Sequence, residues 1–432
     1  MKSVKELSDK LGNFVIAKKT DKYAYSVSKS EVREFNLENS EFKLLRTTFG
    51  NSCSVTLFKD NKKGLAAGND LTDEGLNTTV ESAYSIMESS DVDEANDIAE
   101  NEGCVSFNNI PAVNEEDKFF ERLVELRNEI VKNYKKVNLG QMIGRVRTTH
   151  SVYRNSNGTE FTTDDRYFSV TIEIAGHDGD KTTGMSYTNV VMRDLSKPLI
   201  EMGGFKKCLE NAEASLNETS IGDKFEGTAI LTPDCFGDFL MSLVGNYMDG
   251  SSVFDGTSQW KDKLNTVVAD TRFSLEVAPE RPEYLCNNKF TGDGYKQVPL
   301  TLIENGVLKN FQYNLYFANK MGCKASRNDD NTVYVPAGNK SLADIIKETK
   351  RGLIVGAFSG GAPSANGEFS GVAKNSFYVE NGEIKGAVNE TMISGNLAGM
   401  LNNIVDISSD VIADGAMVLP YIAVNGITVS GK

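Results

Sequence analysis

Histidine is the commonest metal ligand of proteins, and this chain of 432 residues contains only two histidines. His150 lies in the segment RTTHSVY, which predicts a strand, and His177 lies in AGHDGD, which predicts a turn. Neither falls in H-E-x-x-H or H-x-H spacing. Because a hydrolytic zinc site takes two or three imidazoles with a carboxylate or thiolate, we predict that the chain carries no zinc-peptidase centre and no bound metal.

Serine and cysteine nucleophiles provide the other common hydrolytic chemistry. A Ser-His-Asp or Cys-His arrangement would need one of the same two histidines. No G-x-S-x-G elbow occurs, and the S-x-x-K matches at residues 26–29 and 258–261 lack the companion motifs of Ser-Lys hydrolases. We therefore interpret both matches as chance. The cysteines are widely spaced without C-x-x-C, which predicts reduced thiols; they are Cys53, Cys104, Cys208, Cys235, Cys286 and Cys323.

A glycine-rich segment, GLIVGAFSGGAPSANGEFSG at residues 352–371, has the most unusual composition of the chain. It matches neither G-x-x-x-x-G-K-[ST] nor G-x-G-x-x-G, so it is not a phosphate-binding loop. Two interpretations remain open. The segment is either a loop whose backbone approaches an extended ligand such as a peptide, or a set of tight turns between strands.

A helix is predicted at 233–248, near the start of the C-terminal half. Thr232 suits the N-cap, Pro233 the first helical position and Asp234 the first turn. The apolar positions follow helical spacing and predict a face that packs on a sheet; they are Phe236, Phe239, Leu240, Leu243, Val244 and Tyr247.

Asn-Gly pairs recur inside alternating apolar runs after residue 223. They occur at 305–306, 381–382 and 425–426. Each predicts a two-residue type I′ hairpin, because both central residues of that turn need positive φ. With helices expected at 233–248 and near 341–351, residues 223–432 are predicted to form a sheet-rich mixed domain.

The first half of the chain predicts an N-terminal α/β-type region at 1–105. Short strands are expected at 23–27, 42–47 and 54–58, and a helix at 72–87 with Thr72 as its N-cap. Residues 88–102 contain acids but no Lys or Arg, which predicts a solvated, mobile connector.

A helical connector and a β-rich middle region are predicted for residues 106–222. Helices are expected at 115–135 and 204–215, and a type I′ hairpin at Asn157-Gly158. The fold class is therefore α+β, with three regions at 1–105, 106–222 and 223–432.

Composition excludes several classes of function. Hydrophobic residues make up 40% and charged residues 25%, as in ordinary globular proteins. The net charge of −14 disfavours direct binding of nucleic acid. No apolar stretch long enough for a signal peptide or a membrane helix occurs, so we expect no membrane contact and a cytoplasmic location.

Three segments of the C-terminal half resemble one known family. They begin LTPDCFGDFLMSLVGNYMDG at 231, VPLTLIENGVLKNFQYNLYFANKMG at 298 and RGLIVGAFSGGAPSANGEFSG at 351, the last continuing through MISGNLAGM. In order and spacing they resemble the TldD/PmbA family, and within it the PmbA (TldE) branch. The resemblance covers most of residues 225–432, and it is weaker before residue 220.

In this family the TldD-type chain binds zinc through an H-E-x-x-x-H helix and a cysteine near the C-terminus. The matching positions here are Met241, Ser242 and Asn246, and the matching segment VIADGAMVLP has no cysteine. Met, Ser and Asn are poor replacements for imidazole and carboxylate. Positions five apart on an ideal α-helix also point away from each other, so this motif needs a special local geometry.

The resemblance implies a non-catalytic subunit of a two-component zinc peptidase that acts in peptide maturation or proteolysis. A TldD-like partner would hold the zinc, and the chain would form a heterodimer with it or a homodimer with itself. Extended peptides are expected to dock by strand addition along glycine-lined positions; the candidates are Gly360, Gly361, Gly367, Gly395 and Asn396. The alternatives are a homodimeric hydrolase without zinc, and a stand-alone peptide-binding or regulatory protein of the gyrase-modulator type.

Overall fold

A computed structural model describes residues 3–111, 115–361 and 363–431. Its described part contains two β-sheets with helices packed on them, which confirms the α+β class. The N-terminal elements are α1 (Val4–Ala17), β1 (Lys22–Glu38), β2 (Glu41–Lys59), β3 (Lys62–Gly68), α2 (Asp73–Ser89), β4 (Cys104–Asn109), α3 (Glu116–Asn133), β5 (Val137–Asn155), β6 (Glu160–Asp178), β7 (Lys181–Thr182), β8 (Ser186–Met192) and α4 (Phe205–Ala214).

The N-terminal sheet has the strand order β3-β2-β1-β5-β6-β4, and β7 and β8 also pair with β6. Helices α1 and α2 cover one end of a sheet face, and α3 and α4 cover the other end. Strands β1 and β5 pair antiparallel from Ala24–Asn155 to Glu38–Gln141. Hydrogen bonds therefore join residues 1–105 and 106–222 in one sheet, and their division into two domains stays a prediction.

Strands β1 and β2 form a much longer hairpin than the sequence predicts. They pair from Lys22–Phe58 to Glu38–Glu41, across the polar run of Ser26, Ser28 and Ser30. These serines alternate with Tyr25 and Val27, which face the helices, and all three serines are partly exposed. A search for apolar alternation misses such strands, because backbone pairing continues where the outward residues are polar.

The acidic segment 88–102 is not the free connector that its charge predicts. Ala95, Ile98 and Ala99 are buried, and the amide of Ala99 donates to the carbonyl oxygen of Asp293 at 3.0 Å. Glu102 accepts two hydrogen bonds from Arg327, both at 2.6 Å. The expected mobility was wrong because basic residues of the C-terminal domain, distant in sequence, pair with these acids.

The C-terminal elements start with β9, the first strand after residue 223. They are β9 (Phe225–Leu231), α5 (Pro233–Leu243), α6 (Gly250–Phe254), β10 (Leu275–Val277), β11 (Leu300–Glu304), β12 (Val307–Leu308), α7 (Leu315–Met321), β13 (Val333–Tyr334), α8 (Leu342–Glu348), β14 (Arg351–Val355), β15 (Ala357–Gly360), β16 (Glu368–Lys374), β17 (Ser376–Glu380), β18 (Glu383–Val388), β19 (Met392–Asn396), α9 (Leu397–Asn402), β20 (Ile404–Ala413) and β21 (Val418–Ser430).

The C-terminal sheet runs in the order β12-β11-β10-β13-β21-β9-β14-β17-β18. A branch leaves the long strand β21 through β19 and β16 and ends at β15. Helix α5 packs on β21 and β9, and its buried side chains belong to the largest hydrophobic core. The predicted apolar face is confirmed, since Phe236, Phe239 and Leu240 are all buried in that core.

Two of the predicted Asn-Gly turns are confirmed. Asn305-Gly306 joins β11 to β12 and Asn381-Gly382 joins β17 to β18, with positive φ at all four residues. The third prediction was wrong, because residues 425–426 lie inside β21, where the pairing with β9 shifts register between Val424 and Ile427. That pair forms a bulge, in which an extra residue takes the place of a turn.

The hairpin predicted at Asn157-Gly158 exists between β5 and β6, but its turn is not type I′. Gly158 has a φ of +94°, whereas Asn157 is not among the residues with positive φ. The side-chain oxygen of Asn155 instead accepts hydrogen bonds from the amides of Asn157 and Thr159, each at 3.0 Å. Within the described residues, no helix is long and apolar enough to cross a bilayer.

Candidate functional site

Helix α5 begins as its sequence predicts and is fixed at its start to the glycine-rich segment. Thr232 is the N-cap, and its hydroxyl accepts from the amide of Cys235 at 3.4 Å. The same hydroxyl donates to the carbonyl oxygen of Gly356 at 3.0 Å. The cap therefore couples the start of the helix to the bend between β14 and β15.

The end of this helix changes from α to π geometry at residues 244–248. The amide of Asp249 donates to the carbonyl oxygen of Val244 at 2.8 Å, an i→i+5 bond. A π-turn contains more residues than the 3.6 of an α-turn, so it brings positions five apart toward one face of the helix. Asn246 lies within this π-turn, whereas Met241 lies in the α-helical turn just before it.

The three positions that resemble zinc-ligand positions are occupied by side chains with other contacts. Met241 is half-buried and packs against the main core. Ser242 donates to the carbonyl oxygen of Asp238 at 3.1 Å, one turn back in the same helix. Asn246 donates through Nδ2 to the carbonyl oxygens of Pro363 and Ser364, at 3.0 and 3.4 Å. Asn246 thus anchors the loop between β15 and β16.

This donor set does not fit zinc. A thioether, a hydroxyl and a primary amide replace the two imidazoles and the carboxylate that the resemblance requires. Among the residues that the structure describes, no group of three or more His, Cys, Asp or Glu side chains could hold a metal ion.

Both histidines lie in the N-terminal sheet, away from α5. His150 is in β5, as predicted, and its Nδ1 lies 2.6 Å from Oδ1 of Asp164 on β6. His177 was expected in a turn, but it lies near the end of β6, where it pairs with Thr182 of β7. Its Nδ1 lies 3.2 Å from that threonine's hydroxyl. Pairing with β7 extends β6 past the Gly176 that suggested a turn.

The glycine-rich segment is mostly strand. Residues 352–371 contain most of β14, all of β15 and the start of β16, and the described residues between β15 and β16 are Gly361 and 363–367. Gly360 pairs with Gly371, and a Cβ on either would come within 3.1 Å of the Phe358 ring. These glycines therefore make room for the Phe358 ring, which lies against both strands. Of the two interpretations of this segment, tight turns between strands agrees with the fold. Binding of an extended ligand depends on the unpaired edge of β15.

Strand β15 pairs with β16 and with no other strand in the described part of the chain. Ser359 and Gly360 are exposed along it, and a Cβ on the following Gly361 would meet no atom within 4 Å. The Phe358 ring lies 5.3 Å from the ring of Phe239 on α5. An open backbone edge therefore lies beside the helix that bears Met241, Ser242 and Asn246.

The other three candidate residues for peptide docking are Gly367, Gly395 and Asn396, and they pack against or bond to the residues around β16. Gly367 has a φ of +82°, and a Cβ there would lie 2.1 Å from Oη of Tyr247. A Cβ on Gly395 would press on the Phe369 and Ile427 side chains. Asn396 donates to the carbonyl oxygen of Asn366 at 2.9 Å. The structure thus brings all five candidates near the segment between β15 and β16. Of the five, only Gly360 and Gly361 lie at the unpaired edge of β15.

Aromatic residues around α5 were not recognised from the sequence as part of this region. Phe239 contacts Phe369 at a centroid distance of 4.9 Å, and Tyr247 stacks on Trp260 at the same distance. Tyr247 is fully buried, and its hydroxyl has no hydrogen-bond partner in the described residues. The helical spacing of Phe239 and Tyr247 indicated burial, but their contact partners on distant strands gave no local signal.

Comparison with known proteins places the chain in a family. The domain description "PmbA/TldA metallopeptidase C-terminal domain" matches residues 225–431, and "PmbA/TldA metallopeptidase domain 1" matches residues 25–86. The chain belongs to the PmbA/TldD metallopeptidase family.

Its relatives place it in the PmbA (TldE) branch of that family. Metalloprotease PmbA of Escherichia coli O157:H7 is 24% identical over 94% of this chain and 93% of its own length. A zinc metalloprotease TldD homologue of Saccharolobus solfataricus is 26% identical, over 60% of this chain and 61% of its own length.

Solved structures share the fold. TldE of Thermococcus kodakarensis superposes with a TM-score of 0.85 at 22% identity, covering 98% of this chain and 100% of that chain. A Thermotoga maritima protein described as a putative modulator of a DNA gyrase superposes with a TM-score of 0.83 at 20% identity, covering 99% of this chain and 100% of its own.

Proposed function

We propose that this chain is the metal-free subunit of a two-component zinc peptidase. The observation that carries the proposal is the helix of residues 233–248, which ends in a π-turn at Val244–Met248 and has Met241, Ser242 and Asn246 at the positions that resemble zinc-ligand positions. A TldD-like partner would supply the zinc and the general base. This chain would complete the dimer and one wall of the substrate cavity.

The proposed substrate is an extended or unfolded peptide that adds a strand to β15. An edge strand presents unpaired N–H and C=O groups, which a peptide can pair with regardless of its side chains. Gly360 and Gly361 favour this docking, because neither places a side chain over the open edge. The proximity of β15 to α5 supports the same location, since a peptide there would run beside the helix that faces the partner's metal in this proposal.

The net charge of the chain bears on how it could affect DNA gyrase, and a cellular location and process complete the proposal. The net charge of −14 disfavours contact with a phosphate backbone, so any effect on DNA gyrase would act through a protein. We place the complex in the cytoplasm and assign it to peptide maturation or proteolysis.

Co-expression with the TldD-like chain of the same organism tests the proposal. We expect the two chains to copurify, and we expect hydrolysis of unfolded peptides only by the mixture, with loss of activity on chelation. Metal analysis should find zinc in the complex and none held stoichiometrically by this chain alone. Chelator-resistant hydrolysis by the purified chain would refute the proposal and favour a homodimeric hydrolase without zinc.

Peptide binding by a chain that forms no complex with any TldD-like protein would also refute it. That result would favour a stand-alone peptide-binding or regulatory protein. Chemical crosslinking of the purified chain, read beside the copurification, separates a homodimer from a monomer.

A further inference from the structure

A cavity lies where the N-terminal sheet meets the C-terminal domain, and no residue of β15 lines it. Its volume is about 320 Å³. Phe107 and Asn109 of β4 and Arg193 after β8 form one wall, and residues 279–297 form the other. A cavity of this size and mixed lining is suited to a small molecule rather than a polypeptide.

The charged side chains that line this cavity are mainly cationic, although the chain as a whole carries a net charge of −14. The cations are Arg193, Arg281, Lys289 and Lys296, and Glu280 is the acidic residue among the lining side chains. The amides of Asn109, Asn287, Asn288 and Gln297 add neutral polar groups.

Three of the four cations have a carboxylate partner. Arg193 lies 2.8 Å from Asp165, Arg281 lies 3.3 Å from Glu283, and Lys296 lies 4.0 Å from Glu280. The amine of Lys289 instead donates to Oδ1 of Asn287, a neutral acceptor. Lys289 is therefore the one of these four cations that makes no ion pair with a carboxylate of the described residues.

Burial lowers the pKa of Lys289, and the nearby charge of Arg193 lowers it further, while Asp165, Asp330 and Cys286 act in the opposite direction. The ammonium form is thus destabilised in the protein without a ligand. An anion in the cavity would offset this cost, because a partly buried charge is stabilised by a paired charge of opposite sign.

The two arginines are held in place before any ligand binds. Arg193 donates to the carbonyl oxygens of Asn109 and Arg166, at 3.0 and 3.1 Å, and also to that of Leu285. The Arg281 guanidinium stacks on the Tyr334 ring at 3.6 Å. Such preorganisation reduces the entropy lost on binding.

We propose that this cavity is a binding site for a small organic dianion, a dicarboxylate or a phosphate ester, with Lys289 as the main ion-pair partner. Arg281 and the lining amides bind its other oxygens, and Phe107 contacts its carbon skeleton. Because Phe107 and Asn109 come from the N-terminal part and Lys289 from the C-terminal part, the bound anion links the two parts of the molecule and stabilises the folded chain.

Binding is tested on the full chain with two probes, inorganic phosphate and succinate, and with acetate as the singly charged control at constant ionic strength. We expect a saturable rise in Tm and a calorimetric Kd at millimolar concentration or below for one of the dianions, and none for acetate. Phosphate alone would identify the ligand as a phosphate ester, and succinate alone would identify a dicarboxylate. The absence of saturable binding by both dianions would overturn the proposal.

Variants of Lys289 test whether the dianion binds in this cavity. Lys289→Met should weaken the dianion at least tenfold, whereas Lys289→Arg should retain binding because it keeps the charge. Lys324→Met removes an exposed lysine elsewhere and should leave the Kd unchanged. Circular dichroism verifies folding, and Arg281→Gln, expected to weaken binding as well, replaces Lys289→Met if that variant unfolds. Equal affinity in the folded cavity variants and the unaltered chain would refute this site.

Discussion

Asn246 shows how one residue type decides between two roles at the same position. Its amide nitrogen donates to the backbone carbonyl oxygens of Pro363 and Ser364, between β15 and β16, at 3.0 and 3.4 Å. An amide donates hydrogen bonds well but offers a metal only a weak carbonyl oxygen, whereas a neutral imidazole is a strong ligand. The sequence predicted the missing ligand here, but the loop contact could not be foreseen, because Pro363 and Ser364 are more than a hundred residues away.

Asn246→Ala should therefore destabilise the C-terminal domain. We expect a loss of about 1 kcal/mol in the free energy of unfolding, since a typical hydrogen bond contributes about 0.5–1.5 kcal/mol and one of these two bonds is long. Urea unfolding measures the change. Asn402→Ala is the control, because Asn402 is exposed and donates to Ala398 of its own helix at 2.9 Å. Equal losses in both variants would contradict the anchoring role.

Gly361 is the residue at which peptide docking on β15 can be blocked without disturbing the fold. A Cβ there meets open space, so Gly361→Val should leave the Tm nearly unchanged. We expect its side chain to obstruct the edge and to raise KM of the two-chain peptidase about tenfold, which corresponds to about 1.4 kcal/mol, with kcat little changed. Gly292→Val is the matched control, since Asp329 Oδ2 at 3.7 Å is the nearest contact of its Cβ. An unchanged KM would place the peptide elsewhere.

At the scale of elements, the sequence predicts best where a local rule fixes the backbone. Thr232 and Pro233 set the start of α5, and Asn-Gly pairs set the turns before β12 and β18. The same rule fails at residues 425–426, because pairing of β21 with β9 on both sides of the pair keeps the strand continuous. The edge position of β15 was also invisible, because a strand order depends on contacts between distant segments.

Two glycines with similar φ separate the effect of backbone strain from that of crowding. Gly382 and Gly426 have φ values of +81° and +83°. A Cβ on Gly382 would lie 2.4 Å from the carbonyl oxygen of Lys347, whereas the nearest atom to one on Gly426 is Asn403 Nδ2 at 3.8 Å. We expect Gly426→Ala to cost about 1 kcal/mol of unfolding free energy, from strain alone.

Gly382→Ala should cost at least about 1 kcal/mol more, because a backbone carbonyl must move in addition to the strain. Denaturant unfolding of the two variants measures the difference. A smaller loss for Gly382→Ala than for Gly426→Ala would show that the β17–β18 turn yields easily and that α8, which contains Lys347, is not rigidly packed there.

At the scale of the whole molecule, the acidic segment 88–102 connects the two halves of the fold. Asp93 lies 2.8 Å from the amine of Lys320 and accepts a hydrogen bond from the Tyr316 hydroxyl at 2.8 Å, both on α7. Composition alone predicted a solvated connector, because charge on a segment does not reveal which distant cations it meets. The same acids that make the chain strongly negative thus fix the N-terminal sheet to the C-terminal domain.

This contact makes stability depend on pH in a defined direction. The Lys320 amine, the Ala95 amide and the Tyr316 hydroxyl lower the pKa of Asp93 from 3.8 to about 2. A carboxyl whose pKa is lower in the folded state stabilises the fold above its unfolded pKa and loses that contribution as pH falls through its folded pKa. The contribution of Asp93 is therefore complete above about pH 5 and declines between about pH 4 and about pH 2.

Asp93→Asn should destabilise the chain near neutral pH, and the difference from the unaltered protein should shrink at about pH 3. Urea unfolding at neutral pH, at about pH 5 and at about pH 3 measures that difference, and subtraction removes the effect of all other carboxyls. Asp91→Asn makes the same charge change at an exposed position two residues earlier and should show little difference at any pH. A difference for Asp93→Asn that stays constant down to about pH 3 would mean that the hydrogen bonds to α7, and not the charge of Asp93, hold the two halves together.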